Sequence, residues 1–194
     1  MAEHPKLLFL AGSARQGSFN RKLAKLAAGL AEGEGANVTL LELADYPLPI
    51  YNGDLEEEQG IPKPARELKK KFIDCDGFFI ASPEYNSSIP PLLKNTLDWL
   101  SRKESADEPP LAAYKGKVAA LSAASPGGNG GLRGLVPLRM MLGNIGVHLI
   151  PQQLAVAGAG DAFDDDGRLK SDQQLQTLTG IMRELVRVSR QLRD

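Results

Sequence analysis

Short apolar runs alternate with stretches of helical periodicity along the whole chain. Leu7-Leu8-Phe9-Leu10-Ala11, Val38-Thr39-Leu40-Leu41, Gly77-Phe78-Phe79-Ile80-Ala81, Val118-Ala119-Ala120-Leu121 and Val147-His148-Leu149-Ile150 read as five strands. The third is apolar without alternation, the mark of a parallel strand covered on both faces. A first helix is predicted from Asn20 to about Glu34, with Phe19, Leu23, Ala27 and Leu30 on one face, stopped by Gly33 and Gly35. A second starts near Pro62 and buries Ala65, Leu68, Phe72 and Cys75. Pro90 and Pro91 open a third, whose buried stripe is Leu92, Leu93, Thr96, Leu97 and Leu100. A fourth is expected near Gly134, because Pro137 is tolerated only in a first turn. The last helix opens with Ser171 and Gln174 in capping-box spacing and buries Leu175, Leu178, Met182, Leu185 and Val188.

Strands alternating with helices imply an α/β fold with a doubly wound parallel sheet. Five strands and five helices favour the flavodoxin-like order 2-1-3-4-5, helices on both faces, over the six-stranded dinucleotide fold. With 194 residues the expectation is one domain over 1–194.

In that order the loops leaving strands one, three and four share a crevice. The first, Gly12-Ser13-Ala14-Arg15-Gln16-Gly17-Ser18-Phe19-Asn20, lies between a strand and a helix. Its backbone N–H groups and the helix N-terminus would face one point, where a phosphate is favoured. Ser13, Ser18 and Asn20 add donors, and Arg15 adds a fixed positive charge. An ordinary turn with Ser18 as helix cap is the alternative. Neither the dinucleotide fingerprint nor the ATPase loop is present.

The third-strand loop, Ser82-Pro83-Glu84-Tyr85-Asn86-Ser87-Ser88, offers N–H groups and one ring. The fourth-strand loop runs from Ser122 through Ser125 and Gly127-Gly128 to Gly130-Gly131, and its glycines would let backbone approach a flat ring. A flexible glycine tip, and a Tyr85 that merely closes the sheet end, are the structural alternatives. Together the loops suit a flat, phosphate-bearing cofactor. Tyr46-Pro47-Leu48-Pro49-Ile50-Tyr51 is too proline-rich for regular structure.

A net charge of −1 gives no reason to expect nucleic acid or an anionic membrane as partner. No apolar run approaches the ~20 residues that span a bilayer, and the first residues do not resemble a signal peptide, so a cytoplasmic location is expected. One cysteine, Cys75, reads as a buried, inert thiol, and His4 and His148 leave little room for a zinc site, so no metal is expected. Lys69-Lys70-Lys71 reads as a solvated helix face and Trp99 as core or subunit interface. Gly158 to Phe163 and Asp164-Asp165-Asp166-Gly167 read as solvent loops.

The motif Gly12-Ser13-x-Arg15-x-x-Ser18-x-Asn20 with Leu23 and Ala24, and Ser82-Pro83-Glu84-Tyr85-Asn86-Ser87-Ser88-Ile89-Pro90 running into Leu93-Lys94-Asn95 and Asp98-Trp99, resemble the NADPH-dependent FMN reductase family. Within it the likeness is greatest to chromate and quinone reductases, over roughly Lys6 to Ile150. The resemblance implies non-covalent FMN, with Ser13, Arg15, Ser18 and Asn20 on its phosphate. Pro83, Glu84, Tyr85 and Asn86 would border the isoalloxazine ring, and residues from Ser122 through Ser125 to Gly127 and Gly128 would line its other side. It further implies NADPH or NADH as donor, a quinone, free flavin, azo compound or chromate as small-molecule acceptor, and a homodimer or homotetramer. The flavin carries such chemistry, so no catalytic side chain is expected. A non-catalytic electron carrier of flavodoxin type is the rival reading.

Overall fold

The computed structural model describes residues 4–193. Its strands are β1 (Lys6–Ala11), β2 (Asn37–Leu41), β3 (Gly77–Ala81), β4 (Val118–Ala124) and β5 (His148–Val156). The helices are α1 (Phe19–Gly33), α2 (Gly53–Gln59), α3 (Lys63–Asp74), α4 (Pro91–Ser101), α5 (Leu132–Asn144), α6 (Ala159–Ala162) and α7 (Asp172–Gln191), with a 3₁₀ turn at Leu43–Asp45. All strand pairs are parallel, in the order β2-β1-β3-β4-β5.

Alternate side chains of the central strands feed two cores. Phe9, Phe79, Val118 and Ala120 pack under α1 and α7, and the Phe9 and Phe79 rings stack at 5.6 Å. Leu8, Leu10, Phe78, Ile80 and Leu121 pack under α3, α4 and α5. Both faces of β3 are buried, as its unbroken apolar run predicts. Cys75 is buried, its Sγ donates to the Phe72 carbonyl at 3.2 Å, and burial pushes the thiol up to about 12.

Several elements depart from expectation. Strand β5 continues to Val156 across Pro151, with a register break between its pairs with Ala119 and Leu121. As an edge strand it tolerates a proline at such an irregularity. Helix α5 starts at Leu132 and carries Pro137 in its second turn, so the expected start at Gly134 is two residues late. The Glu84 carboxylate accepts the Gly134 N–H at 3.0 Å and anchors the early start. The stretch after Tyr51 forms α2, capped by Asn52. Residues 159–162 are a short helix, not a solvent loop, because Ala159 and Phe163 are buried against the α1/α7 layer.

The lysine run is not uniformly solvated either. Lys69 is 1% exposed, and its ammonium pairs with Glu108 and donates to the Arg102 carbonyl. Trp99 is core: its Nε1 donates to the Pro49 carbonyl at 2.8 Å, and the Tyr51 ring meets it edge-on at 5.0 Å. Asn95 holds the same segment, donating to Pro49 O at 2.9 Å and accepting the Tyr51 N–H at 2.8 Å. The proline-rich stretch is thus a strap fixed to α4.

Candidate functional site

The sheet ladder carries on past the strand ends and sets the three loops side by side. Gly12 N–H donates to Ala81 O at 2.9 Å, Ser82 N–H to Ser122 O at 2.8 Å, and Ser125 N–H to Val156 O at 3.0 Å. Gly12 lets the loop pass close to its neighbours: a Cβ would lie 3.1 Å from the Leu93 side chain and 3.2 Å from Pro83 Cδ, so those side chains would have to shift. The loops leaving β1, β3 and β4 enclose a cleft of about 120 Å³. Ser13, Arg15, Ser18, Phe19 and Asn20 line it from the first loop, Pro83, Glu84 and Tyr85 from the second, and Ala124, Ser125 and Pro126 from the third. These segments meet at the carboxyl end of the sheet, where the strand order reverses.

Each predicted residue has a definite place. Ser18 caps α1, its Oγ accepting the Arg21 N–H at 3.4 Å, and Ser13 Oγ accepts the Arg15 N–H at 3.3 Å. The backbone N–H groups of Gln16, Gly17, Phe19 and Asn20 meet no acceptor among the described residues. The exposed Arg15 guanidinium likewise has no described partner. Four open N–H donors, a helix N-terminus and an unpaired arginine are the donor set a phosphate monoester requires. Asn20 does something else as well. Its buried amide accepts from Ala124 N at 2.9 Å and donates to Ala124 O at 2.8 Å, latching α1 to the end of β4.

In the second loop Tyr85 and Ser88 exchange backbone hydrogen bonds at 3.2 and 3.0 Å around Asn86 and Ser87, both at positive φ (51° and 63°). This tight turn leaves the Asn86 and Ser87 N–H groups without described acceptors and presents the Tyr85 ring, 52% exposed, at the rim. Glu84 lines the cleft, but its carboxylate is engaged by the α5 N-terminus.

In the third loop Ser125 reaches the cleft, whereas Ser122 sits inside β4, buried, with no partner for its Oγ. Gly127 and Gly128 lie outside the cleft lining; the Gly127 N–H donates to Ser125 Oγ at 3.3 Å, and a Cβ on Gly128 would meet nothing within 4 Å. Gly130 and Gly131 serve packing: a Cβ would come within 2.7 Å of the β5 end and 2.8 Å of Ala123 Cβ respectively. Phe19 is a wall that sequence reasoning placed on a helix face. Its position at the very start of α1, next to the cap, is the signal that it faces the cleft.

A five-stranded parallel sheet in the order 2-1-3-4-5, with a cleft at its switch point, is a flavodoxin-like architecture. Residues 5–161 match the family described as NADPH-dependent FMN reductase, and the chain belongs to that family. It is 34% identical to an NAD(P)H-dependent FMN reductase of Pseudomonas aeruginosa over 95% of this chain and 99% of that one. It is 37% identical to a quinone reductase of Escherichia coli over 73% of this chain and 71% of that one. Among solved structures, a flavoenzyme NAD(P)H:(acceptor) oxidoreductase of Paracoccus denitrificans superposes with a TM-score of 0.81. It covers 96% of this chain and 98% of its own, at 29% identity. The protein is an FMN-dependent NAD(P)H oxidoreductase. Among the described residues no helix is long and apolar enough to cross a membrane.

Proposed function

We propose that this oxidoreductase, one FMN-binding domain over 1–194, takes electrons from NADPH or NADH and delivers them to a quinone, free flavin, azo compound or chromate. One observation carries the reading: three loops distant in sequence meet in a single cleft whose backbone donors and arginine await an anion. When bound, FMN supplies the hydride chemistry, accepting from the nicotinamide and giving to the acceptor.

The protein's own part is binding, orientation and electrostatics. Arg15, Ser13, Ser18 and the N–H groups of Gln16, Gly17, Phe19 and Asn20 hold the phosphate, the α1 dipole adding to their pull. The open N–H groups of Asn86, Ser87 and Gly128 are fixed dipoles that favour negative charge at the rim, an electrostatic contribution made without side-chain proton transfer. Pro83 and Tyr85 wall one side, and Ala124, Ser125 and Pro126 the other. Glu84 acts as a positioning residue, tying the tyrosine turn to α5.

The exposed side of α5 supports a homodimer or homotetramer. Leu132, Val136 and Met140 recur at four-residue spacing, 44%, 63% and 63% exposed, on the helix that begins beside Glu84. The cytoplasm, where reduced pyridine nucleotides are kept, is the compartment this reading requires.

The test is oxidation of NADPH by the FMN-loaded protein with a quinone acceptor and no other protein present. Steady turnover is expected. Turnover only after addition of a separate reductase would identify an electron carrier instead.

A further inference from the structure

Charge is unevenly placed around the cleft. Its lining holds one cation, Arg15, and one carboxylate, Glu84. Glu84 accepts the Gly134 N–H at 3.0 Å, so its charge is met by the start of α5. The third wall has no acid to offer, because no Asp or Glu occurs from residue 109 to 160. That stretch supplies β4, the loop leaving it and the whole of α5. The next acid, Asp161, lies on α6, whose Ala159 packs in the α1/α7 layer, across the sheet from the α5 residues Leu135 and Leu138.

Arg133 is the cation this arrangement leaves over. It is exposed, and no described residue forms an ion pair or a hydrogen bond with its side chain. The backbone on both sides of it lies against the tyrosine turn. A Cβ on Gly134 would come 3.2 Å from Glu84 Cβ and 3.2 Å from Ser88 O, and one on Gly131 3.8 Å from Glu84 Cβ. Arg133 therefore stands at the rim, beside the turn that presents the half-exposed Tyr85 ring. It points about 100° round the helix from Leu132, off the line of Leu132, Val136 and Met140. An exposed guanidinium beside a cleft whose one carboxylate is engaged raises the local concentration of anions and offers paired N–H donors to an oxyanion group.

We infer that Arg133 is a specificity-determining residue, drawing to the rim electron acceptors that carry a fixed negative charge: a sulfonate, a carboxylate or an oxyanion. The inference rests on the proposed delivery of electrons to a small-molecule acceptor, in which Arg15 is taken up by the FMN phosphate. An aromatic acceptor finds a ring in Tyr85 and a counter-charge in Arg133.

The acceptors that test it are 1,4-naphthoquinone and its 2-sulfonate, reduced by the FMN-loaded protein with NADPH. Arg133→Gln should lower the ratio of kcat/KM for the sulfonate to that for the parent quinone about tenfold, the scale of one charged hydrogen bond, and Arg133→Lys should lower it less. Added salt should slow the sulfonate reaction of the wild type more than that of Arg133→Gln. Lys70→Gln, which removes an exposed charge on α3, should leave the ratio where it is. A second readout needs no turnover. Naphthalene-2-sulfonate, titrated into the FMN-loaded protein, should shift the backbone amides of Tyr85 and Arg133 and bind about tenfold more weakly to Arg133→Gln. An unchanged ratio in Arg133→Gln, an equal fall in Lys70→Gln, or sulfonate shifts centred elsewhere overturns the inference and leaves the reductase reading intact. Sulfonate binding that depends on Arg133, in a protein that reduces neither quinone, would leave the anion site standing and remove the reductase reading instead.

Discussion

Arg15 and Asn20 sit five residues apart in one loop yet do different work. Arg15 is exposed and has no partner among the described residues, so its removal should cost the fold little. Arg15→Ala should leave the melting temperature unchanged and weaken FMN binding by roughly 1.5–3 kcal/mol, the scale of a charged hydrogen bond. A flavin titration with unaltered affinity would take Arg15 out of the site. Asn20 is buried and bonded twice to Ala124. Asn20→Ala strands both backbone groups of Ala124 and should lower stability by about 1–3 kcal/mol in urea unfolding. Equal stability would mean that the latch contributes nothing to the fold.

At the scale of elements, α3 and the segment after α4 are joined by the pair between Lys69 and Glu108. Burial pushes the Glu108 carboxyl up, but the Lys69 ammonium and the Glu104 N–H outweigh it and hold the group below its ordinary value. A depressed carboxyl stabilises the fold above its unfolded pKa, about 4.3, and loses that contribution as pH falls through the lower folded value. Stability should therefore decline on acidification below about pH 4.5, and Glu108→Gln should flatten that decline. A wild-type and variant pair with parallel pH profiles would rule the linkage out. Lys69→Ala leaves a largely buried carboxylate and should cost about 3 kcal/mol in denaturant unfolding. Lys69 follows Ala65 by four residues and so lies on the buried face of α3; only its charge disguised it.

Across the whole molecule, the parallel sheet and the meeting of three loops were legible because hydrophobic periodicity and strand–helix alternation are carried by contiguous residues. Leu7 to Ala11 and Gly77 to Ala81 announce buried strands by composition alone. What stayed hidden depends on distant partners. The early start of α5 needs Glu84, fifty positions earlier, and the lysine burial needs Glu108. Strand β5 was cut short at Pro151 because nothing local shows that it lies at an edge. Within the site, the meeting of the Arg15 loop and Tyr85 at one cleft was legible from loop chemistry. The division of the glycines was not: Gly130 and Gly131 fill tight spots against β5 and Ala123, while Gly127 and Gly128 stay open.

The joint enclosure of a mononucleotide by loops from β1, β3 and β4 is tested most directly by titrating FMN into flavin-free protein and reading the backbone amides. Stoichiometric binding should shift Gly17 and Phe19, Asn86 and Ser87, and Ser125 and Gly128 together, at one common saturation point. Shifts confined to one of the three loops, or centred elsewhere on the molecule, would contradict it.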